Sequence, residues 1–181
     1  MSWICRVILK VLGWRVHGTE FMSPLSQFVV IVAPHTSNWD FPLGLLVRKG
    51  YHLERIKYLG KSSLFRPPFG WIFTALGGMP IDRSKNNNLV QSYVALFQSN
   101  PDLSIVLAPE GTRKKVAHFK TGFYFIAKGA GVPIIKTKFD YKFKLVDFSE
   151  PFYPSSDELL DITNIEDYFR GISAKNQANA F

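Results

Sequence analysis

The segment Phe28-Val29-Val30-Ile31-Val32-Ala33-Pro34-His35-Thr36-Ser37-Asn38-Trp39-Asp40 decides the fold and carries the first candidate site. Its first five residues are apolar and mostly β-branched, and this short run without polar alternation predicts a buried strand. Pro34 stops that strand because proline has no N–H to donate to a sheet. His35 therefore lies in a loop just past a strand end, where chemistry is usually placed in α/β folds.

His35 and Asp40 are a candidate catalytic pair in this loop, five positions apart. Histidine acts as a general base near neutral pH, and a carboxylate can fix its tautomer and stabilise the imidazolium that forms. A tight loop can bring two side chains at this offset together. The His-x4-Asp spacing also occurs by chance in structural settings, so its interpretation depends on the segments that follow it.

Three further segments follow this one in a fixed order. They are Gly77-Gly78-Met79-Pro80-Ile81-Asp82-Arg83-Ser84, then Ala108-Pro109-Glu110-Gly111-Thr112-Arg113, then Val132-Pro133-Ile134-Ile135. Together with the His35 segment, they resemble the four blocks of the glycerolipid acyltransferase family, whose best-known members are the lysophosphatidic acid acyltransferases. The Pro-Glu-Gly-Thr-Arg block matches letter for letter. Many family members have Asn before the histidine, where this chain has Pro34.

The resemblance implies an O-acyltransferase of phospholipid synthesis and gives each block a role. His35 would be the general base, and Asp40 would orient it. The second and third blocks would bind the glycerol phosphate of the acceptor through Arg83, Glu110, Gly111, Thr112 and Arg113. The two arginines suit this role because guanidinium groups bind phosphate bidentately.

Three of these assignments have structural alternatives. Arg83 could instead form an ion pair with Asp82 or Glu110, since structural ion pairs are common. Glu110 could order its loop or pair with an arginine, whereas Gly111 would let the backbone approach a ligand closely. Lys61 follows another strand-like run and could reach a phosphate, but a solvated lysine is the competing interpretation.

Strand-like and helix-like segments alternate along the chain, which predicts a single α/β domain with a mostly parallel sheet flanked by helices. The resemblance implies a fold like that of the glycerol-phosphate acyltransferases. Within one domain of residues 1–181, we expect an amphipathic helix in 1–14, a catalytic core over 28–146 and a C-terminal extension over 151–181 whose last residues fray. We expect strands over 14–18, 28–32, 56–59, 79–81, 103–108, 132–139 and 141–146, and helices over 2–14, 41–49, 69–76, 86–100, 121–129 and 161–172.

The N-terminal helix would carry an apolar stripe, here called the N-terminal stripe, formed by Trp3, Ile4, Val7, Ile8, Val11 and Leu12. Such a helix is about 18 Å long, too short to cross a hydrocarbon core of ~30 Å. Lys10 interrupts the segment and no small-residue cleavage site follows, which argues against a signal peptide. Two interpretations stay open: a helix lying in the membrane interface, or a terminal helix packed on the core.

Composition favours an anionic partner, because the formal net charge is +8. We expect a lipid acceptor, an acyl donor carried by coenzyme A or by acyl carrier protein, and an anionic membrane surface on the cytoplasmic side as a peripheral location. Nucleic acid is disfavoured because the cations are scattered and form no basic tract. The single Cys5 and the absence of zinc-like Cys/His spacing imply no metal, and we expect no cofactor beyond the acyl-donor substrate.

A second class of function also fits this composition: a basic, aromatic peripheral protein that binds lipid without turnover. Such a protein would have no need for His35 and Asp40 together. Within the enzyme class, the acceptor could be lysophosphatidic acid, another lysophospholipid or an aminoacyl lipid. The fatty acyl chain would need an apolar tunnel, for which Phe69, Trp71 and Phe73 are candidates.

Overall fold

The computed structural model describes residues 1–81 and 89–181, which form one seven-stranded sheet with helices on both faces. The strands are β1 (Arg15–His17), β2 (Val29–Ala33), β3 (Ile56–Lys61), β4 (Gly78–Ile81), β5 (Ser104–Leu107), β6 (Ile134–Asp140) and β7 (Leu145–Phe148). The helices are α1 (Ser2–Val11), α2 (Asp40–Gly50), α3 (Gly70–Ala75), α4 (Leu89–Ser99), α5 (Gly122–Ala130) and α6 (Glu158–Phe169), with 3₁₀ turns at Thr19–Met22, Ser62–Phe65 and Gln177–Asn179.

The sheet has the spatial order β1-β7-β6-β2-β5-β3-β4. The pairing of β6 with β7 is antiparallel, and the other pairings among the described strands are parallel. The prediction of a mostly parallel sheet with flanking helices is confirmed. Because parallel strands end at the same edge, the residues that follow β2, β5 and β3 lie along one side of the sheet.

The apolar run of β2 is explained by helices on both of its faces. Val29 and Ile31 belong to a core shared with α4, α5 and α6, whereas Val30 belongs to a second core shared with α1 and α2. Successive side chains of a strand point to opposite faces, so a strand covered on both sides has no polar alternation.

Helix α1 packs on α2 through the side opposite to the N-terminal stripe. Leu9 is buried in the second core, and Cys5 and Arg6 lie against Gly50 of α2. The helix thus packs on the core, as one interpretation expected, but it does so through Leu9, and all six stripe residues are exposed. In the described parts of the chain, no helix is both long and apolar enough to cross a membrane.

Several element boundaries differ from the sequence prediction by one to four residues. Helix α6 begins at Glu158 rather than 161 because the Asp157 side chain accepts the Leu160 N–H at 3.0 Å and caps the helix. The connection between β6 and β7 covers residues 141–144, whereas the sequence predicted a turn through Asp140 with 141 already in the next strand. The predicted residues 86–88 of α4 lie outside the described residues.

The C-terminal segment is packed on the domain, so the prediction that its last residues fray is wrong. The rings of Phe119 and Phe181 are 4.2 Å apart, and Ala180 is buried. Ile165 and Phe169 of α6 are buried in the same core as Val29. Residues 151–181 are therefore part of the domain core rather than an appendage to it.

Candidate active site

The loop between β2 and α2 brings His35 and Asp40 together. The chain leaves β2 through a cis Ala33–Pro34 bond, and α2 begins at Asp40 itself. His35 Nδ1 lies 2.9 Å from Asp40 Oδ2. The Asp40 side chain is 3% exposed and that of His35 is 24% exposed, so the carboxylate is shielded and the imidazole is accessible. When Nδ1 carries the proton and faces Asp40, Nε2 is the nitrogen that can act as a base.

Asp40 is held ionised by three hydrogen-bond donors. Its Oδ2 accepts the Ser37 N–H at 2.9 Å as well as His35 Nδ1, and its Oδ1 accepts the Tyr141 hydroxyl at 2.5 Å. Burial raises the pKa of Asp40, but the hydrogen bonds from His35, Tyr141 and Ser37 outweigh burial and hold it below its ordinary value. The first turn of α2 also favours a negative charge at this position.

Tyr141 is a residue of this site that the sequence analysis missed. Its backbone N–H donates to the Ser173 carbonyl at 2.8 Å, and its ring meets Trp14 edge-on at 5.0 Å. Burial and the Asp40 carboxylate both raise its pKa, so the hydroxyl stays protonated and donates. The two residues are 101 positions apart, and no local pattern marks position 141.

Glu110 joins the third block to the first. It is buried, and its Oε2 accepts the backbone N–H of His35 at 2.7 Å. Burial raises the pKa of Glu110, partly offset by this hydrogen bond and by the nearby His35 ring. Of the two roles expected for Glu110, ordering the loop is the one that this contact supports.

The remaining predicted binding residues lie at the surface of the same sheet edge. Gly111 has a φ of +64°, which favours glycine, and a Cβ there would lie 2.7 Å from Lys120 Nζ. The glycine therefore makes room for the Lys120 ammonium group, which the sequence analysis did not single out. Thr112 Oγ1 accepts the Lys114 N–H at 3.3 Å. Arg113 and, at the end of β3, Lys61 are both exposed. Arg83 lies outside the described residues.

An apolar cavity of about 230 Å³ is lined by His35, Asp40 and residues of α2 and the sheet. Phe69 and Trp71 do not line it, because the short helix α3 holds them at the β4 side of the sheet, where they are 66% and 70% exposed. Phe73 does not line it either, so all three aromatic residues that the sequence predicted for an apolar tunnel lie outside this cavity. The cavity walls come from α2 and five strands and include Val30, Val32, Gly44, Val47, Ile56, Tyr58, Val106, Thr137, Phe139 and Phe148.

A second groove, here called the lysine groove, has a volume of about 620 Å³ and lies on the other side of α2. Leu12, at the end of the N-terminal stripe, lines it together with Trp14, Trp39 and Tyr141. Its cations are Lys142, Lys144 and Lys175, and none of the described residues lining it is acidic. The groove and the apolar cavity thus flank the same first turn of α2, which carries Asp40.

The segment after α6 holds the loop that carries His35. The Asn176 backbone N–H donates to Thr36 Oγ1 at 3.1 Å, and Asn176 Nδ2 donates to the Thr36 carbonyl at 2.9 Å. Thr36 is buried, so its position is fixed by residues from the far end of the chain. Within residues 1–81 and 89–181, no group of three or more His, Cys, Asp or Glu side chains is arranged to hold a metal ion.

These features define an α/β protein with a histidine–carboxylate pair at the carboxyl edge of parallel strands and an apolar cavity beside it. The sequence model described as Acyltransferase matches residues 13–137, so the chain belongs to the acyltransferase family.

Individual relatives agree with this family. A 1-acyl-sn-glycerol-3-phosphate acyltransferase of Chlamydomonas reinhardtii is 31% identical over 142 residues, which cover 74% of this chain and 40% of that protein. The protein of the same name from Escherichia coli is 38% identical over 113 residues, which cover 59% of this chain and 44% of that protein. The chain thus spans less than half the length of these two relatives.

A solved structure has the same fold. It is the crystal structure of the 1-acyl-sn-glycerophosphate acyltransferase PlsC from Thermotoga maritima, with a TM-score of 0.64. The match covers 92% of this chain and 74% of that one at 19% identity. It therefore supports the arrangement of strands and helices described above.

Proposed function

We propose that this chain transfers a fatty acyl group from an acyl thioester to the hydroxyl of lysophosphatidic acid or a related lyso-lipid. The observation that carries the proposal is the His35–Asp40 hydrogen bond in the lining of an apolar cavity. This arrangement pairs a general base with space for an alkyl chain, and acyl transfer needs both. The names of the relatives make lysophosphatidic acid the first acceptor to test.

The proposed reaction needs no nucleophile from the protein. His35 Nε2 takes the proton of the acceptor hydroxyl as its oxygen attacks the thioester carbonyl, while Asp40 stabilises the imidazolium. The new C–O bond forms, the C–S bond breaks, and the imidazolium returns its proton to the leaving thiolate. The products are an ester and a free thiol, so atoms and protons balance without a metal or a cofactor.

The acceptor phosphate would be bound at the sheet edge beside His35. Arg113 is exposed on the third block, Lys120 lies against Gly111, and Lys61 ends β3 two strands away from β2. We assign Arg83 to the same phosphate by its block alone. Several cations around one anion suit a phosphorylated acceptor better than a neutral one.

The acyl chain of the donor would occupy the apolar cavity. Most of its lining residues are aliphatic or aromatic, and both His35 and Asp40 line it. A chain that enters with its carbonyl at His35 would exchange water for apolar contact along its length. Either coenzyme A or acyl carrier protein could present this chain, and the net charge of +8 suits both anionic carriers.

The protein would reach its substrates by docking on the cytoplasmic face of an anionic membrane. The exposed N-terminal stripe supports this proposal, because an apolar helix face of this kind is typical of helices that lie in the membrane interface. The lysine groove begins at Leu12 of the stripe, so its three cations would face the lipid headgroups.

The proposal is tested by measuring free thiol release from an acyl-CoA when lysophosphatidic acid is added, with His35→Ala as the inactive control. Release that depends on both the acceptor and His35 is the expected result. A monoacylglycerol of the same chain length shows whether the phosphate is required. Vesicle binding without any acyl transfer from coenzyme A or acyl carrier protein would instead support the lipid-binding alternative.

A further inference from the structure

One polar group in the wall of the apolar cavity has no partner. Thr137, on β6, is 0% exposed and lines the cavity, and its Oγ1 makes no hydrogen bond in the described part of the chain. A buried hydroxyl without a partner destabilises a fold, and buried polar groups in proteins are nearly always paired. The hydroxyl therefore indicates a ligand that brings an acceptor into the cavity.

Ordered water is a poor partner for this hydroxyl. The cavity residues on the neighbouring strand positions are Val30, Val32, Phe139 and Phe148, all of them apolar. A buried water needs two to four polar partners, and the residues paired with Thr137 on the neighbouring strands, Val32 and Phe148, offer no polar side chain. The matching ligand is therefore mostly apolar, with a hydrogen-bond acceptor placed at the depth of Thr137.

The strand register gives that depth. In the parallel pairing of β2 with β6, Thr137 lies directly beside Val32. Val32 precedes His35 by three residues. At ~3.3 Å per residue, this places Thr137 roughly 10 Å below the catalytic loop. An extended alkyl chain with C–C bonds of ~1.5 Å advances by roughly 1.25 Å per carbon. In an acyl chain whose carbonyl carbon lies at His35, roughly the seventh to tenth carbon would therefore lie beside the Thr137 hydroxyl.

We propose that Thr137 is a polar subsite for an acyl chain that carries a hydrogen-bond acceptor near its middle. The acceptor is either an oxygen substituent or the π electrons of a cis double bond, and Thr137 Oγ1 donates to it. An oxygen gives the stronger hydrogen bond and a double bond the weaker one. The inference rests on the proposed function, because it takes the occupant of the cavity to be the donor's acyl chain.

The first test needs no acyl transfer. Thr137→Val keeps the shape of the side chain and removes the unpaired hydroxyl, so the melting temperature of the empty protein should rise by about 2–4 °C. Thr137→Ser keeps the hydroxyl and should show no such rise. A Thr137→Val protein that melts no higher than the wild type would show that the hydroxyl already has a partner, and would overturn the inference.

The second test compares three acyl donors of equal length: a saturated chain, a cis-unsaturated chain and a hydroxylated chain, the last two modified at about the ninth carbon. Wild-type kcat/KM should favour the hydroxylated chain by roughly three- to tenfold over the saturated one, and the unsaturated chain by about two- to threefold. Thr137→Val should bring both ratios close to one, whereas Thr137→Ser should keep them. Equal ratios in the wild type and Thr137→Val would overturn the inference.

Failure of the inference and failure of the proposed function give different results. If the wild type transfers no chain at all, the proposed function is wrong, and the same three chains are then compared as free fatty acids by their effect on the melting temperature. A larger shift for the chains with an acceptor, lost in Thr137→Val, supports the subsite without any turnover. Equal shifts for all three chains would overturn it.

Discussion

Tyr141→Phe removes one hydroxyl from the candidate site and leaves the ring in place. In the wild type this hydroxyl donates to Asp40 Oδ1, whereas the donors from His35 and Ser37 both reach Oδ2. The variant therefore leaves Oδ1 without its partner, and the carboxylate is held through Oδ2 alone. We expect His35 to lose part of its orientation while it keeps its contact with Asp40.

The size of the effect follows from that hydrogen bond. A hydrogen bond to a charged group contributes about 1.5–3 kcal/mol, so the free energy of unfolding at neutral pH should fall by about that amount. For a domain of this size, each 1 kcal/mol lowers the melting temperature by about 2–4 °C. The kcat should fall by roughly ten- to a hundredfold, because small misplacements of a catalytic group are that costly. The KM for either substrate should change little.

The pH dependence gives a second readout. The pKa of Asp40 lies below its ordinary value in the folded protein, so its ionised form stabilises the fold above the unfolded-state pKa. That stabilisation is lost as the pH falls through the folded-state pKa. Tyr141→Phe removes one cause of the lowering, so acid unfolding should begin at a higher pH than in the wild type.

Tyr124→Phe is the matched control, because Tyr124 donates to Asp161 Oδ2 at 2.8 Å in a buried pair outside the candidate site. It should lower stability by a similar amount and leave kcat unchanged. Steady-state kinetics and thermal melts of both variants across pH show whether the Tyr141 hydroxyl orients Asp40 or only stabilises the fold. If Tyr141→Phe keeps kcat within twofold of the wild type, or if Tyr124→Phe loses activity equally, Tyr141 only packs and does not orient Asp40.

Three further predictions concern the other parts of the site. Asp40→Asn should lower kcat by about 10⁴ if the pair works like a triad carboxylate, and a near-normal rate at saturating substrate would refute the mechanism. Arg113→Ala should weaken binding of a phosphorylated acceptor by about ten- to a hundredfold and spare an unphosphorylated one, as separate KM values would show; equal losses would make Arg113 structural. Trp3→Ser with Val11→Ser should release the protein from anionic vesicles in co-sedimentation without lowering its melting temperature, and unchanged sedimentation would exclude the N-terminal stripe as the docking surface. These substitutions test docking better than deletion of residues 1–13, which would also remove the buried Leu9.

The sequence predicted the parts of the fold that depend on local pattern. The unbroken apolar run before Pro34 identified the central strand, and the alternation of strands and helices identified the parallel sheet. His35 and Asp40 lie in one short loop, so their five-residue offset was enough to bring them together. Lys61 was singled out because it comes at the end of a strand-like run, and Arg113 because of its block; the strands β3 and β5 that precede or include them end at the same sheet edge.

The parts that the sequence did not predict depend on contacts between distant segments. Tyr141 meets Asp40 only because β6 pairs with β2 in one particular register, and the unbroken apolar run of β2 has no alternation from which that register could be read. The same register places Thr137 beside Val32 in the cavity. Phe69 and Trp71 were assigned to the tunnel for their apolar character, but a six-residue helix at the sheet edge has too little contact to bury them.

The two hydrogen bonds from Asn176 to Thr36 also have a consequence for synthesis on the ribosome. They join residues 140 positions apart, and at roughly 5–20 residues per second the loop with His35 leaves the ribosome on the order of ten seconds before Asn176 is made. During that interval the nascent chain has its central strand and His35, but the loop is not yet fixed by the residues after α6. We therefore expect ribosome-bound chains that stop short of Asn176 to be unable to turn over acyl donors, so that activity begins only after Asn176 has been made and has reached Thr36.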